Sequence, residues 1–317
     1  MPETPTMTEL LKDAPKNWGK WGSEDEVGAL NYLTAEEVFR GVSQIKSATV
    51  FTLQRLIGDP NGDPVWPGRS PAEKTMVLDE SSWDGDGAPQ FPGGLHYADD
   101  KISAFLQGST QYDALGHVWY DGQLWNGYDA RTTIGGLAKA SVSPIAERGV
   151  VGRGILLDMA RFRGKENLDK AETFTHEDLM ACAAKQGTKI EKHDILVIRT
   201  NFLKLFFDQG AQFYEGFCEP GLVYSPDLVR WFQEMEIPNL VTDTIANEVT
   251  TDPNNGTALP LHCALMRNLG IALTEICDLE KLAAHCAEDG QYTFLYAAAP
   301  LKVNAASGSP VNPLAIK

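Results

Sequence analysis

Positive charge, histidine and pairable cysteine are all scarce in this chain of 317 residues. Lys and Arg number 27 against 43 Asp and Glu, a formal net charge of -16. No dense Lys/Arg run interrupts that acidity. A nucleic-acid partner is therefore not expected, because polyanionic backbones are repelled by such a surface. The five cysteines are odd in number and form no C-x-x-C pair. That argues against both a four-cysteine zinc site and a disulfide framework, leaving free thiols in a reducing cytosol. No stretch reaches the roughly 18 apolar residues that a membrane span needs. The start, Met1-Pro-Glu-Thr-Pro-Thr, has no basic segment leading into an apolar run, so a secretory leader is not expected. Together these absences predict a cytoplasmic protein that binds neither membrane nor nucleic acid. The sequence also lacks a G-x-S-x-G elbow, a P-loop and an H-E-x-x-H zinc motif.

What is present is ordinary globular material, 43% apolar and 22% charged, enough to build a sizeable core. Residues 1–20 are expected to form an N-terminal arm, with 21–317 a single domain. Helix starts are expected at Thr34-Ala-Glu-Glu37, a capping box, at Thr175, at Ser225-Pro226 and at Asp278. The run from Leu261 should end at Gly270, and Gly187 and Gly290 should close two other helices. Strands are expected at 50–53, 154–158, 194–199, 239–243 and 292–296, all rich in β-branched or aromatic residues. Strands and helices interleave without strict alternation, which predicts an α/β chain with a mixed sheet. The Gly-, Pro- and Asp-rich segment 58–94 reads as a long binding loop or lid.

With only six histidines, each can be weighed. His176, His193 and His285 sit at helix ends or turns among charged neighbours and read as structural or solvated. His96 lies in the long loop, within reach of a substrate. His117 ends the run Gln107-Gly-Ser-Thr-Gln-Tyr-Asp-Ala-Leu-Gly-His117. Gln111 and Asp113 are two apart and share a face if the segment is a strand; Gln107 can join them. Oxygen and nitrogen donors converging in this way suit a divalent cation, although a polar turn after a strand would look similar. His262 stands among apolar neighbours and reads first as a core residue. Glu275 closes an apolar strand, where a carboxylate is costly to bury unless paired or bound to metal. The two can converge across a helix-to-strand connection.

The run at Gln107–His117 resembles the signature H-x-G-T-H-x-D-x-P-x-H of the cyclase family of metal-dependent hydrolases, which includes bacterial kynurenine formamidase, isatin hydrolase and trans-dienelactone hydrolase. Gly28-Ala-Leu-Asn-Tyr-Leu-Thr34, Gly152-Arg-Gly-Ile-Leu-Leu-Asp158, His193-Asp-Ile-Leu-Val-Ile-Arg-Thr200 and Gly308-Ser-Pro-Val-Asn-Pro313 resemble further family segments. His193 stands where the family usually has glycine. The resemblance implies a swivelling β/β/α fold, a curved mixed sheet or partial barrel flanked by helices. It places metal ligands at Gln107, Gln111, Asp113, His262 and Glu275, and an acid/base at His117, with Glu275 either ligand or base. Both signature histidines are glutamine here, Ser109 replaces the glycine and Leu115 the proline. An amide oxygen is a weaker ligand than imidazole. One ion, zinc or manganese, is therefore expected at Asp113, His262 and Glu275, with Gln111 and Gln107 nearby. The longer subgroup of the family has T-Q-x-D at the same place.

The implied activity is hydrolysis of an amide, imide, lactone or ester bond in a small cyclic or aryl substrate by metal-activated water. A homodimer or higher homo-oligomer is expected by the same resemblance. The rival expectation is a non-catalytic ligand-binding protein of the same fold with a degenerate metal site. Trp66, Trp119 and Trp125 lie near the loop or signature and read equally as pocket walls or core.

Overall fold

A computed structural model describes residues 4–317; the first three residues of the expected N-terminal arm lie outside the described residues. Thirteen strands form. They are β1 (Val50–Thr52), β2 (Glu73–Leu78), β3 (Asp99–Ser103), β4 (Gln111–Asp113), β5 (Val150–Asp158), β6 (Thr173–Phe174) and β7 (Ile195–Arg199), then β8 (Gly221–Leu222), β9 (Asn239–Thr242), β10 (Ala272–Glu275), β11 (Thr293–Ala298), β12 (Gly308–Pro310) and β13 (Leu314–Ile316). Nine of them make one curled sheet in the order β1-β13-β11-β5-β7-β9-β10-β4-β12. Its centre, β5-β7-β9-β10, is parallel, and both flanks are antiparallel. The sheet curls into a half-barrel flanked by helices, the curved mixed sheet that the resemblance implies. Strands β5 and β7 read as continuous apolar runs because both of their faces are covered. On one face the helix His176–Lys185 packs against β5. It opens on Thr175, whose hydroxyl accepts from Asp178 N while Asp178 reaches back to Thr175 N.

Three local expectations differ from the structure, and at Thr34 the reason is a competing tertiary partner. The helix Ala35–Val42 starts at Thr34, but Thr34 makes no side-chain cap. Glu37 turns instead to His193 and Arg40, since charge-assisted bonds are stronger than a neutral cap. The last helix, Glu280–Asp289, is capped at Leu279; Asp278 Oδ1 still accepts from Glu280 N at 3.2 Å. The segment 58–94 is not all loop. It contains β2, which pairs with β3 from beyond the segment, and a turn of 3-10 helix at Glu80–Trp83.

Two close backbone approaches hold the parts that surround the site. Gly270 ends the π-helical stretch His262–Leu269 at φ +72°, and a Cβ there would sit 2.6 Å from Trp125. Trp125 is fully buried, so of the three tryptophans it is the one that serves the core. At Gly221 a Cβ would lie 2.4 Å from the Glu248 backbone. Only glycine lets β8 approach there, with Val249 N donating to Leu222 O at 3.1 Å. That approach fixes the backbone that carries Glu248.

Candidate active site

The register of the sheet assembles the site. In β4, Gln111 and Asp113 are two residues apart and share a face, as expected from the strand period. Antiparallel pairing sets Glu275 of β10 directly opposite Gln111. The π-helical stretch that precedes β10 begins with His262, whose Nε2 lies 3.2 Å from Glu275 Oε1. One ligand atom from each of Asp113, His262 and Glu275 lies within 4.8 Å of the others, and all three residues are buried. Gln111 and Glu275, 164 positions apart in the chain, thus converge because β4 inserts between β10 and β12.

Gln111, His262 and Glu275 are held by side-chain partners, and Asp113 is not. Gln111 Nε2 donates to Glu275 Oε2 at 2.7 Å, which turns the Gln111 carbonyl oxygen away from Glu275. That oxygen, Gln111 Oε1, and Asp113 Oδ1 are buried with no hydrogen-bond partner. Buried acceptors left unpaired are rare and costly. Glu248 completes the support of His262. Its carboxylate accepts from the backbone N–H of Leu261 (2.7 Å) and His262 (2.6 Å), and lies 2.7 Å from His262 Nδ1. An anion at a helix start is favourable in itself, and here it also orients the imidazole with Nε2 towards Glu275. Sequence reasoning missed Glu248. Its separation from His262 matches no ligand motif, and only the Gly221 approach brings it into place.

Electrostatics follow from burial. Burial pushes the Glu275 carboxyl up to about 7, and the adjacent Asp113 carboxylate adds to the push against the pull of His262. Burial opposes charge on His262, but its bonds with Glu248 and Glu275 outweigh that and raise it well above the ordinary range. Burial lowers His117, which Asp113 opposes and His262 and Arg69 reinforce. Burial raises the Cys263 thiol to about 12, so this cysteine beside His262 is no nucleophile.

Among the other sequence candidates, His117 sits on a tight turn after β4, its N–H donating to Ala114 O at 2.8 Å. It lines an open cleft of about 330 Å³ with His262, Leu259, Trp119 and Met7 of the N-terminal segment. Trp119 is 46% exposed at the rim. Gln107 is placed beside the site but engaged elsewhere: its Nε2 donates to Ser307 Oγ at 2.9 Å, packed against Gly308. His96 stacks on Trp83 at 4.8 Å in the β2–β3 arm, outside the donor set. His193, His176 and His285 are structural, paired with Glu37 and Glu236, with Glu177, and with Asp289 respectively.

The donor set suits a divalent cation. Two carboxylates and an imidazole are the chemistry that zinc and manganese accept, and a cation relieves the repulsion between Asp113 and Glu275. The two orphaned oxygens of Gln111 and Asp113 are the observation that fits such an ion best.

Comparison with known proteins bears on the family and the fold. The sequence profile of a family described as "putative cyclase" matches residues 48–249, which include Gln107–His117 and Glu248 but not His262 or Glu275. A crystal structure described as a novel cyclase is 37% identical, covers 99% of this chain and 100% of its own, and superposes with a TM-score of 0.87. Isatin hydrolase A from Labrenzia aggregata, solved with benzyl benzoate, is 20% identical over 91% of this chain and 98% of its own, with a TM-score of 0.60. A predicted metal-dependent hydrolase from Bacillus stearothermophilus is 15% identical over 84% of this chain and 98% of its own, with a TM-score of 0.50. No curated protein matches the sequence.

Proposed function

The chain belongs to the putative cyclase family, and from that membership and the geometry of the site we propose that it is a metal-dependent hydrolase of an amide, imide, lactone or ester bond in a small cyclic or aryl substrate. The observation that carries this reading is the buried set Asp113, His262 and Glu275, with one oxygen each of Gln111 and Asp113 buried and unpartnered. Those three residues would hold one divalent ion, zinc or manganese, with the neutral Gln111 side chain beside them. When bound, the ion polarises a carbonyl and lowers the pKa of water towards neutrality. Glu248 holds the His262 ring and its tautomer. His117, kept uncharged at neutral pH by burial, takes the proton from the attacking water. As the C–N or C–O bond breaks, it returns that proton to the leaving group. Gln107, committed to Ser307, supports the strand end beside the site. Among the described residues no helix is long and apolar enough to cross a membrane. We propose a cytoplasmic homodimer or higher homo-oligomer acting on a small molecule.

The test pairs elemental analysis with a substrate panel of N-formyl anilines, isatins and unsaturated lactones. About one zinc or manganese per chain and turnover of at least one panel member are expected. A protein with well under half an equivalent of metal that still turns a substrate over would overturn the metal assignment. Stoichiometric metal with no turnover across the panel would favour a ligand-binding role.

A further inference from the structure

A second cavity, of about 360 Å³, has Arg69, Val65, Trp66, Pro71, Phe206 and Tyr214 among its walls. It is built by the segment 58–72, which the structure holds in one shape. The buried Asp63 carboxylate accepts from the backbone N–H of Gly58, Asp59 and Ala72 at 3.0–3.2 Å. The Tyr214 hydroxyl bonds both Val65 N and Val65 O. Trp66 packs edge-on to Phe217 with ring centroids 5.7 Å apart. The charge of Asp63 is thus spent on the loop's own backbone, and the walls are otherwise apolar.

Arg69 is the exception. Its Nη1 donates to Gln107 O at 2.9 Å, at the start of the signature run. Among the described residues, no carboxylate lies within ion-pair distance of it. Arg55, Arg131, Arg148 and Arg267 share that property, but among the arginines only Arg69 lines this cavity. A guanidinium carries five N–H donors in a planar fork matched to a carboxylate, and four of them remain for a ligand. From this geometry we infer that the cavity binds an aryl carboxylate, its ring among Trp66, Phe206 and Tyr214 and its carboxylate on Arg69. The inference rests on the proposed hydrolase function for its source: the acid is either the product of acyl hydrolysis or a substrate that carries an acid of its own. The Arg69 bond to the Gln107 carbonyl ties the edge of this cavity to the start of the signature run.

The probe is benzoate, with benzamide as its neutral counterpart. Binding is measured by calorimetry on the protein as purified and again after chelator treatment. Wild type should prefer benzoate in both states. Arg69→Gln should weaken benzoate by roughly 10- to 100-fold, the range for a charge-assisted pair, and leave benzamide unchanged. Trp66→Ala should weaken both ligands alike. Arg69→Lys retains the charge and should lie between wild type and Arg69→Gln, which guards against a folding defect in the glutamine variant. Equal benzoate binding by wild type and Arg69→Gln would overturn the proposal. Benzoate binding that vanishes on chelation would also overturn it, by placing the carboxylate on the metal, and would leave the hydrolase reading intact. Benzoate binding through Arg69 in a protein that hydrolyses nothing would uphold the site and refute the hydrolase reading. Once a substrate is known, the two sources separate. A raised KM in Arg69→Gln identifies a substrate acid, and weaker product inhibition at unchanged KM identifies the product.

Discussion

Two histidines in this protein are clamped between two carboxylates, and only one of them belongs to the candidate metal site. His193 sits between Glu37 and Glu236, stacked on Tyr32 with ring centroids 5.3 Å apart, on a side chain 24% exposed. His262 sits between Glu248 and Glu275 on a side chain 6% exposed. The difference lies in what surrounds each clamp. Around His193 the charges are met by Lys20, Lys192 and Arg40, so the carboxylates are already balanced. Around His262 a third carboxylate, Asp113, approaches instead of a lysine, and buried oxygens stay unpaired. A histidine between acids is a brace where cations complete it, and a ligand where the surplus is negative and dry.

Breaking the inner clamp should have the largest effect. His262→Ala and Asp113→Ala are expected to lose both metal and activity, read by elemental analysis and turnover on the same preparations. Either variant keeping stoichiometric metal and near-normal kcat would remove that residue from the ligand set. His117→Ala sharpens the contrast between holding the ion and moving the proton. Its metal and Tm should stay near wild type while kcat falls by roughly 10²- to 10⁴-fold. Loss of metal would make His117 a ligand, and an unchanged kcat would make it a turn residue.

Glu248→Gln tests the support of the inner clamp. It keeps the shape but weakens the acceptor for His262 Nδ1 and for two backbone N–H groups. Metal affinity should fall by about 10- to 100-fold, measured by competition with a chromophoric chelator; unaltered affinity would contradict the positioning role. The smallest effect belongs to the outer clamp. His193→Gly relieves a side chain held at φ +63° but removes both ion pairs, a net cost of about 1 kcal/mol. Thermal unfolding should show Tm lower by roughly 2–4 °C, with kcat and metal content unchanged. A loss of metal in this variant would mean that the two clamps are not independent.

Much of this was legible in the residues, and for identifiable reasons. Helix 176–185 and strands β5, β7, β9 and β11 follow from periodicity, caps and β-branched runs, which are local properties. Gln111 and Asp113 sharing a face required only the two-residue period of a strand. The convergence of His262 with Glu275 was open to inference because the two are close in sequence. Glu248 and Arg69 were not legible. Each acts through a contact between distant segments: Glu248 through the glycine approach at Gly221, and Arg69 through the Gln107 carbonyl. The capping box at Thr34 read correctly as a helix start but wrongly as a contact, because Glu37 found a charged partner that the local pattern does not contain.

Composition and local pattern settle that this chain is an acidic α/β protein with a mixed sheet and a polar run at Gln107–His117, since these depend on residue type and on spacings of two to four. The pairing order β10-β4-β12 is a different matter. It sets Glu275 opposite Gln111, brings Asp113 to His262 and leaves two oxygens without partners. Which carboxylate meets a cation and which meets another carboxylate depends on contacts between segments far apart in the chain, and only packing of the whole sheet and its loops makes those contacts.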